Sequence, residues 1–266
     1  MHLLEVEAPF VARKAQPGQF VILMVDEKGE RIPLTIADWD HEKGSISIVV
    51  SEVGTTTGKL GRLKKGDSVA HFVGPLGKPA EIDNFVNVAC VAMGYGMATI
   101  VPIARALREA GNKVRSIISA PTKTDLFGID RLSKASDTLI ATTSDGSYGE
   151  PGWVIEPLRR LLDEGQPINR AFVVGSVCMM KLVSAVTKEF GIKTVVSLNP
   201  VMVDGTGMCG ACRVSVGGNT KFACVDGPEF DGHEVDWNLL MARRCTYPVR
   251  LEEVATAYRC QYCGQW

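Results

Sequence analysis

The chain carries almost no net charge: 29 Lys and Arg stand against 30 Asp and Glu over 266 residues, a balance of −1. That excludes the broad basic face by which a protein holds nucleic acid or an anionic membrane. No apolar run approaches the ~20 residues that span a bilayer. The opening "MHLLEVEAPF" has neither the basic start nor the small-residue cleavage site of a secretory leader. Internal repeats and low-complexity tracts are also missing. What remains is the composition of an ordinary globular protein, 45% hydrophobic and 22% charged, long enough for one large or two modest domains. A cytoplasmic setting is expected, where thiols stay reduced. The eight cysteines are then better matched to metal or redox chemistry than to a disulfide framework.

Three kinds of pattern follow one another. Short apolar or alternating runs fill the first stretch ("HLLEVEA", "QFVILMV", "RIPLTIAD", "SISIVVSEV", "DSVAHFVGP"), separated by Pro-Gly and Lys-Gly turns. Such spacing predicts a small antiparallel β-barrel over residues 1–82. Over 83–199 the apolar runs "VNVACVAM", "KVRSIIS", "TLIATT", "RAFVVGS" and "KTVVSL" alternate with amphipathic stretches near 98–110, 152–163 and 177–190. That alternation predicts a doubly wound α/β unit with a parallel sheet. Residues 200–266 form a third, glycine- and cysteine-rich piece with a partly helical tail.

Several loops carry chemistry. Arg31 offers a planar cation suited to a pyrophosphate, and Pro33, Leu34 and Thr35 a rigid apolar wall with one hydroxyl, suited to an isoalloxazine edge. Gly54 with Thr55, Thr56 and Thr57 lies between a strand and a short helix, where backbone N–H groups and hydroxyls bind phosphate. A plain strand and a threonine-rich helix cap would account for the same residues. Gly94 and Gly96 stand where a strand opens into a helix, as in a dinucleotide fold, although Thr99 replaces the third glycine of G-x-G-x-x-G. Two further loops, 142–152 with Asp145 and Gly146, and 173–183 with Gly175 and Cys178, fall at other strand ends of the same sheet. Three glycine-bearing loops on one carboxyl edge point to a bound ligand there.

Asp204, Cys209, Cys212 and Cys224 are spaced D-x4-C-x2-C-x11-C. With cysteine in place of the aspartate, the opening would be the plant-type C-x4-C-x2-C of a 2Fe-2S cluster. The ligand chemistry also permits a zinc held by three thiolates and an aspartate, though zinc sites usually present paired C-x2-C knuckles.

Barrel, nucleotide unit and late cysteine loop in this order resemble the ferredoxin-NADP reductase superfamily, in its branch with a C-terminal 2Fe-2S domain. Within it, "PGQFVIL", "RIPLTIAD", "VGTTTGKL", "GPLGKP", "SDGSYGEPG" and "VDGTGMCGACRV" are most similar to the small subunits of electron-bifurcating NADH-dependent reduced ferredoxin:NADP+ oxidoreductases. Asp204 carries the distinction, since the dihydroorotate dehydrogenase branch has a fourth cysteine there. The resemblance implies FAD on Arg31, Pro33, Leu34, Thr35, Gly54 and Thr55 to Thr57. It implies NAD(H) on Gly94, Gly96, Asp145, Gly146, Gly175 and Cys178, and a 2Fe-2S cluster on Asp204, Cys209, Cys212 and Cys224. Hydride would pass between nicotinamide and flavin, and single electrons to the cluster and on to a larger subunit carrying flavin and 4Fe-4S centres, with ferredoxin reached only indirectly. A dihydroorotate- or sulfide-linked electron-transfer subunit, or a zinc-stabilised interaction subunit without hydride chemistry, are the alternatives.

Two features depart from the family. Its barrel begins with one more strand, so a barrel short of that strand or closed differently is expected. Cys245, Cys260 and Cys263 in the tail have no family counterpart, and either a second metal site or free thiols would account for them. The segment "SAPTKTDLF" after the second parallel strand offers one lysine and no arginine, whereas a 2′-phosphate usually calls for an arginine. NADH is therefore expected to reduce the flavin faster than NADPH at equal concentration, as read by stopped-flow absorbance.

Overall fold

The computed structural model describes residues 1–245. Cys260 and Cys263 lie outside the described residues, and Cys245 ends the last described helix.

The first unit is a barrel-like antiparallel sheet of β1 (His2–Glu7), β2 (Phe20–Met24), β3 (Ile32–Asp40), β4 (Ser45–Val50) and β5 (His71–Leu76), in the order β1-β4-β3-β2-β5. Two short helices, α1 (Pro9–Ala12) and α2 (Thr55–Gly61), accompany it. All five strands match the runs read from the sequence. In β1 exposure alternates residue by residue, which is the period of a strand with one face on the core; Leu4 and Val6 pack inward with Val21, Leu23, Ile36, Ile46 and Ile48. Long β3 serves two partners: Ile32 to Thr35 pair with β2, and Ile36 to Asp40 with β4, the register shifting between Ile36 and Asp38. That corner accounts for a proline inside a strand. Pro33 pairs with β2 alone, so its missing N–H deprives no second neighbour.

The second unit is a sheet covered on both faces. Six of its strands, β6 (Asn87–Met93), β7 (Lys113–Ala120), β8 (Thr138–Thr143), β9 (Glu150–Pro151), β10 (Arg170–Val174) and β11 (Lys193–Ser197), pair parallel with one another. Along β6, Val88, Cys90 and Ala92 face α3 (Gly96–Glu109) and α4 (Ile129–Lys134), while Ala89 and Val91 face α5 (Ile155–Asp163) and α6 (Val177–Glu189). Burial on both sides explains why this strand reads as continuous hydrophobics.

The last stretch forms a hairpin, β12 (Arg213–Val216) and β13 (Asn219–Phe222), then β14 (Glu229–Asp231) and α7 (Trp237–Cys245). β14 returns to the large sheet and pairs antiparallel with β11, giving the order β14-β11-β10-β6-β7-β8-β9. That edge strand, and α4, are absent from the sequence reading. No described helix is long and apolar enough to cross a membrane.

Glu229, at the head of β14, is half-buried as a residue, yet its carboxyl is desolvated. Its Oε1 lies 3.1 Å from where a Cβ on Gly18 would stand. Burial first, and then the Glu81 carboxylate, push it up from its ordinary 4.5 to about 7. Below pH 4.5 both folded and unfolded chains hold this proton and Glu229 contributes nothing. Between 4.5 and 7 only the unfolded chain releases it, so stability falls as pH rises, and above 7 the penalty is complete. Glu229→Gln is expected to match the parent near pH 4.5 and to exceed it at pH 8 by on the order of 2 kcal/mol, as measured by urea midpoints across that range.

Candidate functional site

The connections of the large sheet run outward in opposite directions from β6 and β10, so the carboxyl ends of those two strands form a topological switch point, where open α/β sheets bind ligands. Gly94 and Gly96 lie in the turn after β6. Gly94, at φ +58°, has open space where a side chain would begin. A Cβ on Gly96 would stand 2.3 Å from the Val174 carbonyl oxygen, so only glycine lets α3 start so close to β10. Gly175 is buried at the end of β10, and Cys178, 9% exposed, sits in the first turn of α6, whose N-cap Ser176 Oγ accepts the Met179 N–H at 3.2 Å. Four of the expected coenzyme residues thus share one edge. Asp145 and Gly146 lie farther along it, after β8. Asp145 Oδ1 accepts the backbone N–H of Ser147 at 3.0 Å and its hydroxyl at 2.6 Å, and the hydroxyl, followed by the N–H, holds the carboxyl below the usual range.

The barrel meets this edge through β3. Thr99, in the first turn of α3, donates its hydroxyl to that of Thr35 at 3.2 Å. The residue that breaks the glycine pattern therefore ties the two units together. Beyond the β3 corner, Asp38 pairs with Arg105 of α3 at 3.0 Å and Arg131 of α4 at 3.5 Å, and Arg105 lies over the Trp39 ring. Arg31 is exposed just before β3, while Pro33, Leu34 and Thr35 are half-buried. In the turn at α2, the Thr57 hydroxyl oxygen accepts the N–H groups of Val53 and Gly54 at 3.0 and 2.9 Å. Thr57 thus shapes the turn, with Thr55 exposed beside it and Thr56 buried.

The cysteine loop rests on the barrel. Cys212 and Cys224 are buried with Phe20, Ile22, Met202 and Ala223, and their sulfurs stand 3.3 Å apart, beyond the roughly 2.05 Å of a disulfide. Gly205, at φ +77°, lies so close to β2 and β5 that a Cβ would meet Leu76 Cδ1 at 2.7 Å and Ile22 Cγ1 at 2.8 Å. Cys209 is exposed. Asp204 folds over the loop: Oδ1 accepts the Thr206 N–H and Oδ2 the Cys209 N–H, each at 2.7 Å, and the Thr206 contact is the largest cause holding the carboxyl below the usual range. Desolvation, then the neighbouring Cys212 thiol, push Cys224 up to about 12.

These donors fit a thiolate-held group. Burial keeps the proton on Cys224 unless a soft metal replaces it, and the Cys212 sulfur faces it. Asp204 stays ionised, and each of its oxygens retains a lone pair beside its N–H contact. Among the described residues no three His, Cys, Asp or Glu side chains converge on a point where one ion would sit. A two-iron cluster instead divides its four ligands between two metals.

A barrel bearing a cysteine loop is thus joined to a doubly wound sheet with its glycine turns at the switch point. The fold alone is shared with the cytochrome P450 reductase GcoB of Amycolatopsis, at TM-score 0.54 and 21% identity over 71% of this chain and 60% of that one. Residues 199–236 match the iron-sulfur cluster binding domain of dihydroorotate dehydrogenase B. The chain is 49% identical to a dihydroorotate dehydrogenase B (NAD(+)) electron transfer subunit homolog of Thermotoga maritima, over 91% of this chain and 85% of the relative. It is 30% identical to the corresponding electron transfer subunit of Desulforamulus reducens, over 89% and 92%. A chain of the NADH-dependent reduced ferredoxin-NADP oxidoreductase, solved for insight into flavin-based electron bifurcation, superposes at TM-score 0.87 with 46% identity over 92% of this chain and 88% of that one. The protein belongs to the family of dihydroorotate dehydrogenase B electron transfer subunits and their homologues.

Asp204 caps the loop, and the expectation that it is also a fourth ligand leads to a test. Asp204→Cys supplies a softer donor of the same formal charge, so a 2Fe-2S cluster is expected to assemble with an altered electron paramagnetic resonance spectrum and a lower midpoint potential. A carboxylate that only caps the loop would leave both unchanged.

Proposed function

We propose that this chain is the electron-transfer subunit of a larger flavoprotein complex, passing hydride between NAD(H) and FAD and single electrons to a 2Fe-2S cluster. The observation that carries the reading is the position of β2 between the two expected redox sites. One neighbour of β2 is β3, where Pro33, Leu34 and Thr35 pair with Ile22, Val21 and Phe20. Against the same Phe20 and Ile22 rest Cys212 and Cys224. A flavin held by β3 and a cluster held by the loop would thus be separated by little more than one strand.

The residues have defined tasks in this reading. Arg31 pairs with the FAD pyrophosphate, Pro33, Leu34 and Thr35 wall the ring system, and Gly54, Thr55, Thr56 and Thr57 present the turn to phosphate. Gly94, Gly96 and Gly175 leave room for the dinucleotide at the switch point, Asp145 and Gly146 lie toward its far end, and Cys178 lies near the nicotinamide. Asp204, Cys209, Cys212 and Cys224 hold the cluster. The bound groups supply hydride and one-electron chemistry, so no side-chain acid or base is required. Thr35 and Thr99 hold barrel and nucleotide unit in fixed relation, which keeps donor and acceptor in register.

The electron-bifurcating assignment is favoured over a dihydroorotate-linked one by Asp204 and by the 46% identity to the bifurcating oxidoreductase chain, against 30% to the dihydroorotate dehydrogenase B electron transfer subunit of Desulforamulus reducens. The partner is then a larger flavin-bearing subunit in a heterodimer or higher complex, and the setting is cytoplasmic. Flavin bands with a broad sulfur-to-iron shoulder, both bleached by anaerobic NADH, are the expected spectrum. A colourless protein holding zinc would overturn the proposal. Arg31→Ala removes a charge-assisted contact worth ~1.5–3 kcal/mol, so about tenfold to a hundredfold weaker FAD retention is expected, with the cluster unaffected, as measured by flavin and iron content after gel filtration.

A further inference from the structure

Among the described residues, two buried side-chain polar atoms lack a hydrogen-bond partner, Ser184 Oγ and Asn199 Oδ1. Ser184 lies two turns into α6. Asn199 lies two residues beyond β11, on the carboxyl edge of the large sheet. Its Nδ2 donates to the hydroxyl of Tyr95, 104 positions earlier, in the turn between Gly94 and Gly96. Since β10 stands between β11 and β6, this bond passes over the end of β10, at the switch point itself.

Tyr95 is 49% exposed, so one end of the Asn199 amide is tethered to a residue at the mouth of the site. The other end is enclosed with nothing to accept. A buried acceptor left unpaired costs about 1–3 kcal/mol, and each such atom in a folded protein calls for an explanation. A ligand donor arriving at the switch point supplies one. A nicotinamide ring carries a carboxamide with two N–H donors.

We propose that Asn199 is a positioning residue for the coenzyme, its Oδ1 accepting an N–H from the nicotinamide carboxamide while Tyr95 holds the amide in place. This rests on the NAD(H) reading above and deepens it. A carboxamide held at one point limits the rotation of the ring about its glycosidic bond, which decides the face offered to the flavin. Asn199 also begins the peptide leading through Pro200 to the cysteine loop, so coenzyme contact and cluster segment are adjacent in the chain.

The test uses equilibrium binding to the full chain loaded with FAD and cluster, with three probes: NAD+, its 3-acetylpyridine analogue, which has no carboxamide N–H, and ADP-ribose, which has no nicotinamide. The parent is expected to favour NAD+ over the acetyl analogue by about tenfold. Asn199→Ala is expected to bind the two alike, with ADP-ribose affinity unchanged. Tyr95→Phe is expected to reduce the discrimination without abolishing it. Full discrimination in Asn199→Ala, or equal weakening of ADP-ribose and NAD+, overturns the inference. Should Asn199→Ala fail to fold, full discrimination in Tyr95→Phe overturns it instead. A parent protein that binds neither NAD+ nor ADP-ribose rejects the coenzyme reading itself, and the inference with it.

Discussion

Burial of Cys212 and Cys224 against Phe20 and Ile22 is the contact on which the arrangement of this protein depends. A cysteine loop with little hydrophobic surface of its own cannot hold its shape alone, and here the barrel supplies the missing wall. Gly205 permits the approach because any side chain there would strike Ile22 and Leu76. The same strand that seats the loop pairs through Phe20 and Ile22 with Thr35 and Pro33. One stretch of five residues therefore sets the relation between two sites more than 160 positions apart in the chain.

A second constraint acts at the junction of barrel and sheet. Gly96 lets the start of α3 lie on the end of β10, and Thr99, one turn later, reaches Thr35. Asp38 then fastens the far side of β3 through Arg105 and Arg131. These ion pairs are partly exposed and each contributes little alone. Shared on one carboxylate at a strand corner, they orient the two units. The polar contacts here fix geometry, and the apolar ones supply most of the stability.

Much of this was legible in the sequence because the responsible signals are local. Alternation in "HLLEVEA" and continuous hydrophobics in "VNVACVAM" distinguish a half-buried strand from one covered on both faces. What the sequence left hidden depends on distant partners. The three residues of β14, between Pro228 and Gly232, are too few to show a period and become a strand only because β11 offers an open edge. Thr57 reads as part of a phosphate-binding turn, and that its hydroxyl oxygen also accepts the Val53 and Gly54 N–H groups shows only in the fold. The bond from Asn199 to Tyr95 joins residues whose neighbourhoods carry no shared motif; the one visible signal was an Asn-Pro pair two residues beyond a strand.

The return of β14 to the large sheet bears on modularity. A cysteine-bearing segment appended after a nucleotide unit suggests a cassette that could be exchanged or trimmed. Here the chain leaves that unit at β11, forms the cysteine loop, and comes back to cover the edge of β11 with Glu229 to Asp231. Cutting the appended segment away would leave a row of unpaired backbone groups on β11, the kind of edge along which proteins aggregate. Recombination between relatives would therefore have to carry β11 and β14 together, so the unit of exchange is larger than the metal-binding loop it contains.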